Sequence, residues 1–291
     1  LVIRRQRQMC IRDRYMTVLN PGDEAILLSP SWASYEPMIS IIGGVPVNVP
    51  VDRKNFHPDM DAIRSSITNR TRMIMVNSPC NPTGAVYTRE EIEEIVSIAI
   101  EHDLWIISDE IYSRLIWNGG EHVSPATIEG GKERTIVISG WSKTWAMTGM
   151  RVGFLAGPEQ AVRAAVKCQA NSASHIPTFM MEAARVALDC DDHVERFSDA
   201  YRQRRKLMVQ GLEDIPGLRI VNPEGAFYLF IDVSGTGMSD VEFADGALEA
   251  GVQLIPASLI TGGEGFIRVS YAASEEDIKE GISRLRSWLL Q

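Results

Sequence analysis

Cysteine, an excess of positive charge and long apolar runs are scarce or missing in this 291-residue sequence. Its four cysteines lie far apart without C-x-x-C or Cys/His ligand spacing, so neither a disulfide framework nor a zinc site is predicted; they are Cys10, Cys80, Cys168 and Cys190. The formal net charge of −9 argues against nucleic acid or an anionic membrane as a partner, because those partners bind a basic face. No stretch approaches the roughly 20 apolar residues of a membrane-spanning helix, and no signal peptide with a cleavage site opens the chain. We therefore expect a cytoplasmic protein that binds a small molecule.

The composition is that of an ordinary globular protein, and only the first residues depart from it. Hydrophobic side chains make up 45% of the chain and charged ones 23%, which fits one large domain or two ordinary ones. Residues 1–14, LVIRRQRQMCIRDR, are rich in arginine and show neither helical nor strand periodicity. We expect them to be foreign or disordered; the alternative is a genuine basic arm that binds a partner.

From residue 15 onward, strand and helix patterns alternate. Short apolar or β-branched runs predict strands at AILLSP, VPVNVPV, RMIMVNSP, LWIISDE, TIVISGWS and RVGFLAG. In TREEIEEIVSIAIEH, Thr88 can cap a helix and Glu91 can complete a capping box. The apolar face of that helix is formed by Ile92, Ile95, Val96 and Ala99. Strands without clean alternation are buried on both faces, so the pattern predicts an α/β fold with a mostly parallel sheet between helices.

After about residue 188 the pattern changes. A long polar-faced helix is predicted over DDHVERFSDAYRQRRKLMVQGL, followed by the strands GAFYLFIDV and GFIRVSYA and the terminal helix SEEDIKEGISRLRSWLL. We therefore expect a large domain at residues 15–187 and a smaller α+β domain at residues 188–291.

Polar or aromatic side chains follow four of the predicted strands. Trp32, Asn81, Asp109 and Lys143 each come at or just after the carboxyl end of a strand. In an open α/β sheet the ligand crevice lies outside those ends, so residues from separate strands converge on one site. The sequence therefore predicts a small-molecule site at this edge of the sheet.

Four separated motifs carry a resemblance to a known family: NSPCNPTG, SDEIY, SGWSKTWAMTGMRVG and FIRVSYA. They stand in the order and roughly the spacing of fold type I aminotransferases that use pyridoxal phosphate. Residues 15–291 resemble class I/II of the aspartate aminotransferase superfamily, in particular the prokaryotic subgroup with the segment S-G-x-S-K-x-x-A-M-T-G-x-R. The resemblance implies pyridoxal phosphate as cofactor, an amino acid and a 2-oxo acid as substrates, a large cofactor-binding domain with a smaller C-terminal domain, and a homodimer.

Lys143 matches the lysine that forms the family's Schiff base with the cofactor aldehyde. An amine must be unprotonated to attack a carbonyl, and an apolar, partly desolvated position lowers its pKa. Released by substrate, the same amine can move a proton from the substrate's α-carbon. Without the motif, a lysine that snorkels from a strand end would be the simpler interpretation.

Three further matches concern the cofactor's ring. Asp109 matches the aspartate that pairs with the pyridine nitrogen and keeps it protonated, so that the ring can accept electrons. Tyr112 and Asn81 match the donors to the cofactor's phenolic oxygen. Taken alone, the aspartate would be a helix cap and Asn-Pro-Thr-Gly a plain turn.

The remaining matches concern the phosphate, the ring face and the substrate. Arg151 matches the phosphate-binding arginine, whereas Ser142 and Ser139 are weaker phosphate candidates because many relatives carry the serine at the position of Gly140. Trp32 matches the aromatic residue that stacks on the pyridine ring; the alternative is a core tryptophan. Arg268 matches the arginine that binds the substrate α-carboxylate with two parallel hydrogen bonds, and Asn81 is the second predicted substrate contact; a solvent-facing strand arginine is the alternative.

The sequence departs from the family pattern before the NPGDE turn. Relatives carry there a glycine-rich helix start whose backbone amides hold the phosphate, whereas this chain reads RRQRQMC. We therefore expect an N-terminally truncated aminotransferase whose cofactor binding or folding is weakened.

The resemblance implies an aminotransferase with a ping-pong cycle, and aspartate with 2-oxoglutarate is the preferred substrate pair. Aromatic amino acids, alanine and kynurenine remain open as donors. The alternatives are a pyridoxal-phosphate-dependent carbon–sulfur β-lyase and a non-catalytic effector-binding module with an aminotransferase-like fold. A nicotinamide-binding Rossmann enzyme is disfavoured, because no G-x-G-x-x-G follows the first strand.

Overall fold

The computed structural model describes residues 4–5, 15–117, 119–172, 174–260 and 262–290. The prediction that residues 1–14 are foreign or disordered lies outside the described residues, except at Arg4 and Arg5. The backbone of these two residues forms a short strand that pairs antiparallel with Leu155 and Phe154. Among the described residues, no helix combines the length and apolarity that a membrane crossing requires.

Within the described residues, the first sheet contains seven strands. They are β1 (Arg4–Arg5), β2 (Glu24–Ser29), β3 (Val45–Pro50), β4 (Thr71–Asn77), β5 (Trp105–Asp109), β6 (Thr135–Gly140) and β7 (Gly153–Ala156). Their order across the sheet is β1-β7-β6-β5-β4-β2-β3. Strands β2 to β6 pair in parallel and β7 runs antiparallel to β6. The predicted α/β architecture with a mostly parallel sheet is confirmed.

Burial on both faces explains why these strands lack alternation. Within β4, Ile74 and Val76 belong to one hydrophobic cluster, whereas Met73 and Met75 point to the opposite face and belong to another. Both faces are therefore covered, and every position of the strand interior takes an apolar side chain.

Helices pack around this sheet. They are α1 (Tyr35–Ile41), α2 (Met60–Ser65), α3 (Arg89–Glu101), α4 (Glu159–Ser172) and α5 (Thr178–Ala187). The capping box predicted for α3 is present: the Glu91 amide donates to Thr88 Oγ1 at 3.2 Å, and the Thr88 amide donates to Glu91 Oε2 at 2.7 Å. These two bonds satisfy backbone donors that a helix start otherwise leaves open.

The second sheet has four short antiparallel strands and its own helices. The strands are β8 (Arg219–Ile220), β9 (Tyr228–Asp232), β10 (Ile255–Pro256) and β11 (Phe266–Ser270), in the order β10-β11-β9-β8. The helices are α6 (Asp191–Leu212), α7 (Asp240–Glu249) and α8 (Glu275–Leu289). Helix α6 covers the segment predicted from sequence, and α8 begins at the predicted terminal helix.

The two sheets share a hydrophobic core. Phe230 of β9 and Phe266 of β11 stack at a centroid distance of 4.7 Å, and both pack edge-on against Phe56 from the first sheet's side. All three belong to the cluster that also contains Ile74 and Val76 of β4. Burial of this shared apolar surface fixes the second sheet against the first.

The turn at Asn81–Gly84 packs against residues 223–225, which lead into the second sheet. Gly84 has a φ of +75°, and a Cβ there would lie 2.5 Å from Pro223 Cβ. The Gly84 carbonyl accepts hydrogen bonds from the amides of Glu224 and Gly225 at 2.9 and 2.8 Å. Glycine is needed at this turn for both the backbone conformation and the close approach of the neighbouring segment.

A partly buried histidine reinforces the same junction. His57 Nδ1 lies 2.8 Å from Glu91 Oε1, and His57 Nε2 lies 3.3 Å from Glu224 Oε2. Its hydrogen bonds, first to Glu224 and then to Glu91, raise the pKa of His57 to about 9. The protonated imidazole therefore joins the start of α3 to the segment before β9.

We expect this histidine to make stability fall at alkaline pH. Because its pKa is raised on folding, its contribution is fully present below about pH 6.5 and is lost as pH rises through about 9. Urea unfolding from pH 6 to pH 9.5 tests this: wild type should lose about 1 kcal/mol more than His57→Gln over that range. His102→Gln, which alters an exposed histidine, is the control. Parallel pH profiles for wild type and His57→Gln would contradict the assignment.

Candidate active site

A cavity of about 270 Å³ lies at the carboxyl ends of the parallel strands. Asn77 and Asp109 are the last residues of β4 and β5, and Ser139 is next to last in β6; all three line it. The cavity also contains every side chain that the sequence predicted for a site: Trp32, Asn81, Asp109, Tyr112, Ser142, Lys143, Arg151 and Arg268. The convergence expected at this edge of the sheet is therefore present.

Asp109 is buried at the base of the cavity and held on both oxygens. Its Oδ2 accepts a 2.7 Å hydrogen bond from the hydroxyl of Tyr35, and its Oδ1 accepts from the Ile111 amide at 3.2 Å. Burial, followed by the charge of Asp109, raises the pKa of Tyr35 well above its usual value, so its hydroxyl stays protonated and donates. This fixes the orientation of the carboxylate in the cavity.

An asparagine pair connects the strand ends to the second sheet. The Asn77 side chain donates to the Asp109 carbonyl at 3.0 Å and accepts from the Asn81 amide at 2.9 Å. Asn81 Oδ1 in turn accepts a 3.0 Å hydrogen bond from Nη1 of Arg268, which projects from β11. The turn after β4 and the strand β11 therefore present their polar groups to the same cavity.

Lys143 follows β6 in a turn and is partly buried. Its Nζ lies 5.1 Å from the ring centroid of Phe227 and 5.8 Å from that of Tyr112. Burial, followed by the positive charges of Arg268 and Arg151, lowers the pKa of Lys143. The site therefore shifts Lys143 towards the uncharged amine, which is the nucleophilic form.

Tyr112 makes a hydroxyl pair with a residue of the second sheet. The hydroxyls of Tyr112 and Tyr228 lie 3.0 Å apart, and both side chains are buried. Burial, followed by the interaction with Tyr228, raises the pKa of Tyr112 well above its usual value. Tyr112 therefore stays a neutral phenol that can donate a hydrogen bond.

Arg151 and Ser142 lie on the wall formed between β6 and β7. Arg151 has a left-handed backbone with a φ of 53°, and its Nη1 donates to the Thr148 carbonyl at 2.9 Å. The Ser139 hydroxyl, in contrast, is bonded to the Glu110 carbonyl at 3.1 Å. A Cβ at Gly140 would lie 2.7 Å from the Val152 carbonyl oxygen. The close approach of the backbone at the start of β7 therefore explains why this position is a glycine.

Three hydrogen-bonding residues of the cavity, Tyr35, Asn77 and Tyr228, are among those that sequence reasoning missed. Asn77 carried a usable signal, because it is a polar residue near the carboxyl end of the predicted strand RMIMVNSP. Tyr35 stands three residues after Trp32 in the same segment, and Tyr228 stands in GAFY, to which no role was given. The partners of Tyr35 and Tyr228, which are Asp109 and Tyr112, come from distant parts of the chain, so tertiary packing alone identifies these two residues.

The donor set of the cavity fits pyridoxal phosphate. A buried carboxylate suits a protonated pyridine nitrogen, two neutral donors suit a phenolic oxygen, and a guanidinium suits a phosphate. Asp109, Tyr112 with Asn81, and Arg151 supply these groups within one cavity that also holds the partly desolvated amine of Lys143. The side chains present are therefore those that such a cofactor requires.

Comparisons with known proteins agree. The family model described as aminotransferase class I and II matches residues 11–285. The chain is 40% identical to the aspartate/prephenate aminotransferase of Thermus thermophilus, over 93% of this chain and 70% of that protein. It is also 40% identical to the aspartate aminotransferase of Pyrococcus abyssi, over 93% of this chain and 71% of that protein.

Solved structures give the same result. The aspartate aminotransferase of Thermus thermophilus with maleate superposes with a TM-score of 0.93 at 37% identity, over 99% of this chain and 76% of that one. The aromatic aminotransferase of Pyrococcus horikoshii gives a TM-score of 0.95 at 38% identity, over 99% and 79%. The chain belongs to the class I and II aminotransferases, the pyridoxal-phosphate-dependent transferases of fold type I.

Proposed function

We propose that this aminotransferase uses L-aspartate as its amino donor and 2-oxoglutarate as its acceptor, in a ping-pong cycle. The observation that carries the substrate class is Arg268, whose guanidinium faces the same cavity as the amine of Lys143. A guanidinium fork binds a carboxylate with two parallel bonds, and both substrates carry a carboxylate beside the reacting carbon. Aspartate is the donor named for several relatives of this chain.

Each polar group of the cavity has a proposed role in holding the cofactor. Asp109 would keep the pyridine nitrogen protonated, with Tyr35 fixing its carboxylate. Tyr112 and Asn81 would donate to the phenolic oxygen, and Trp32 would cover the ring face. Arg151 and Ser142 would bind the phosphate. When bound, pyridoxal phosphate supplies a protonated ring that accepts the electrons released as the substrate's α C–H bond breaks.

Lys143 is the proposed acid–base group. Burial and the neighbouring guanidinium groups lower the pKa of Lys143, which makes it easier for Nζ to take the proton from the substrate's α-carbon in its uncharged form. Arg268 would hold the substrate carboxylate and thereby orient the C–H bond toward Nζ. The rings of Phe227 and Tyr112, with centroids 5.1 and 5.8 Å from Nζ, line the apolar side of the amine.

Three organisational features belong to the same proposal. A large cofactor-binding domain would comprise residues 15–187 and a small domain residues 188–291, with the cavity between them. The enzyme would be a cytoplasmic homodimer. Exposed apolar side chains on α5, Phe179 and Val186, support a homodimer because such surfaces are costly in water.

We expect Lys143→Ala to abolish transamination, because it removes the amine that binds the cofactor covalently and moves the proton. Borohydride reduction of the pyridoxal-phosphate-loaded protein, followed by peptide mass spectrometry, measures this directly. Wild type should retain the cofactor mass on the peptide that contains residue 143. Lys132→Ala, which alters a lysine outside this cavity, is the matched control. Retention of the cofactor mass in Lys143→Ala would refute the assignment.

Tyr35→Phe should lower kcat/KM by roughly tenfold. The change removes the donor to a buried carboxylate, and such a loss costs about 1 to 3 kcal/mol. Steady-state kinetics and the dissociation constant of pyridoxal phosphate measure the effect. Tyr87→Phe, another buried tyrosine but one that does not line this cavity, is the control. Equal effects of the two changes would point to general destabilisation instead.

The donor assignment predicts that L-aspartate has the highest kcat/KM among aspartate, tyrosine, alanine and kynurenine with 2-oxoglutarate. A coupled assay of the 2-oxo product ranks them. Without the acceptor, product should stop at about one equivalent per active site, because the nitrogen left on the cofactor must be passed on before the next turnover. A higher kcat/KM for tyrosine would overturn the choice of aspartate without affecting the enzyme class.

A further inference from the structure

Tyr228 contacts both the substrate side and the cofactor side of the cavity. Its ring centroid lies 4.8 Å from Cζ of Arg268, within the range of a cation–π contact. Its hydroxyl lies 3.0 Å from that of Tyr112. Only 7% of the surface of Tyr228 is exposed, so both contacts are made largely out of contact with solvent.

The strand register places Tyr228 beside Arg268. In the antiparallel ladder of β9 and β11, Arg268 pairs with Phe230, and Tyr228 pairs with Ser270. Tyr228 and Phe230 are two residues apart and share a face, so Tyr228 is the diagonal neighbour of Arg268 on that face. Backbone hydrogen bonding therefore fixes the contact between ring and guanidinium.

We propose that Tyr228 is a positioning residue with two separable functions: its ring holds the Arg268 guanidinium for the substrate carboxylate, and its hydroxyl fixes the hydroxyl of Tyr112. This inference rests on the proposed role of Arg268 in carboxylate binding. The ring packs on the guanidinium and leaves in-plane N–H groups for a carboxylate. A held arginine also loses less side-chain entropy on binding.

The hydroxyl function concerns a different atom. Tyr112 is buried, and its hydroxyl lies 3.0 Å from the hydroxyl of Tyr228. This bond limits rotation of the Tyr112 hydroxyl and links the second sheet to the end of β5. Loss of the bond should disturb Tyr112 while leaving Arg268 in place.

Two substitutions separate the functions. Tyr228→Phe keeps the ring and removes the hydroxyl, whereas Tyr228→Leu removes both. Maleate, a dicarboxylate without an amino group, serves as the probe, and its dissociation constant is measured by calorimetry on the protein without added cofactor. We expect about a tenfold weaker maleate affinity for Tyr228→Leu and a change of less than about twofold for Tyr228→Phe.

Kinetics of the pyridoxal-phosphate-loaded enzyme test the hydroxyl. Tyr228→Phe should lower kcat about threefold to tenfold with an unchanged KM for aspartate, because the change affects Tyr112 and not Arg268. Tyr228→Leu should raise KM as well as lower kcat. This split distinguishes positioning from a purely structural role, which would not separate the two parameters.

Tyr271→Phe is the matched control. Tyr271 directly follows β11; its buried hydroxyl accepts from Trp117 Nε1 at 2.9 Å and donates to the Ala226 carbonyl at 3.2 Å, but it does not line the cavity. We expect unchanged maleate affinity and an unchanged kcat. Equal losses in Tyr271→Phe and Tyr228→Phe would overturn the proposal, as would wild-type maleate affinity in Tyr228→Leu.

Arg268→Lys separates this inference from the proposed function. It removes the guanidinium fork, so maleate affinity should fall at least as far as in Tyr228→Leu. If Arg268→Lys binds maleate like wild type, the proposed role of Arg268 is wrong, and so is the proposed function of the Tyr228 ring. If Arg268→Lys fails to bind but Tyr228→Leu binds normally, only the inference about Tyr228 is wrong.

Discussion

The hydrogen bond from Arg268 to Asn81 joins the two sheets at the cavity. Asn81 belongs to the turn after β4, and Arg268 belongs to β11, so this bond forms only when the second sheet packs on the carboxyl-terminal edge of the first. The shared core around Phe56, Phe230 and Phe266 supplies the apolar burial that holds that packing. Gly84 permits it sterically, because any Cβ there would meet Pro223. The geometry of the site therefore depends on packing between sheets as much as on the strands themselves.

The sequence was sufficient to predict the main strands and helices and the part of the site formed at the ends of the parallel strands. Strand β4 and helix α3 could be predicted because burial on both faces and a capping box are local signals. The convergence of Asp109 and Lys143 followed from a general property of parallel sheets. Tyr35 and Tyr228 could not be predicted in the same way. Tyr35 meets a residue 74 positions away and Tyr228 meets one 116 positions away, and no local pattern encodes those contacts.

Burial shifts the pKa values of the amine and of the tyrosine hydroxyls in the cavity in opposite directions. The pKa of Lys143 is lowered because burial and the guanidinium groups of Arg268 and Arg151 oppose its ammonium form. Tyr112 and Tyr35 keep their protons because burial opposes their phenolate forms. The same desolvation therefore lowers the pKa of the amine and raises the pKa of the two hydroxyls, since in each case it disfavours the ionised state. A single physical cause thus acts on the proposed base and on the neighbouring hydroxyl donors.

The segment at the start of β9 contacts the cavity through two adjacent residues. Phe227 lies against the amine of Lys143, and Tyr228 lies against Tyr112 and Arg268. A displacement of β9 would therefore alter the surroundings of Lys143, Tyr112 and Arg268 together. Because these contacts share one strand end, the proposed substrate binding at Arg268 and the proposed proton transfer at Lys143 would be coupled through it. Closure of the second sheet over a bound carboxylate would then tighten the surroundings of the reacting amine in the same movement.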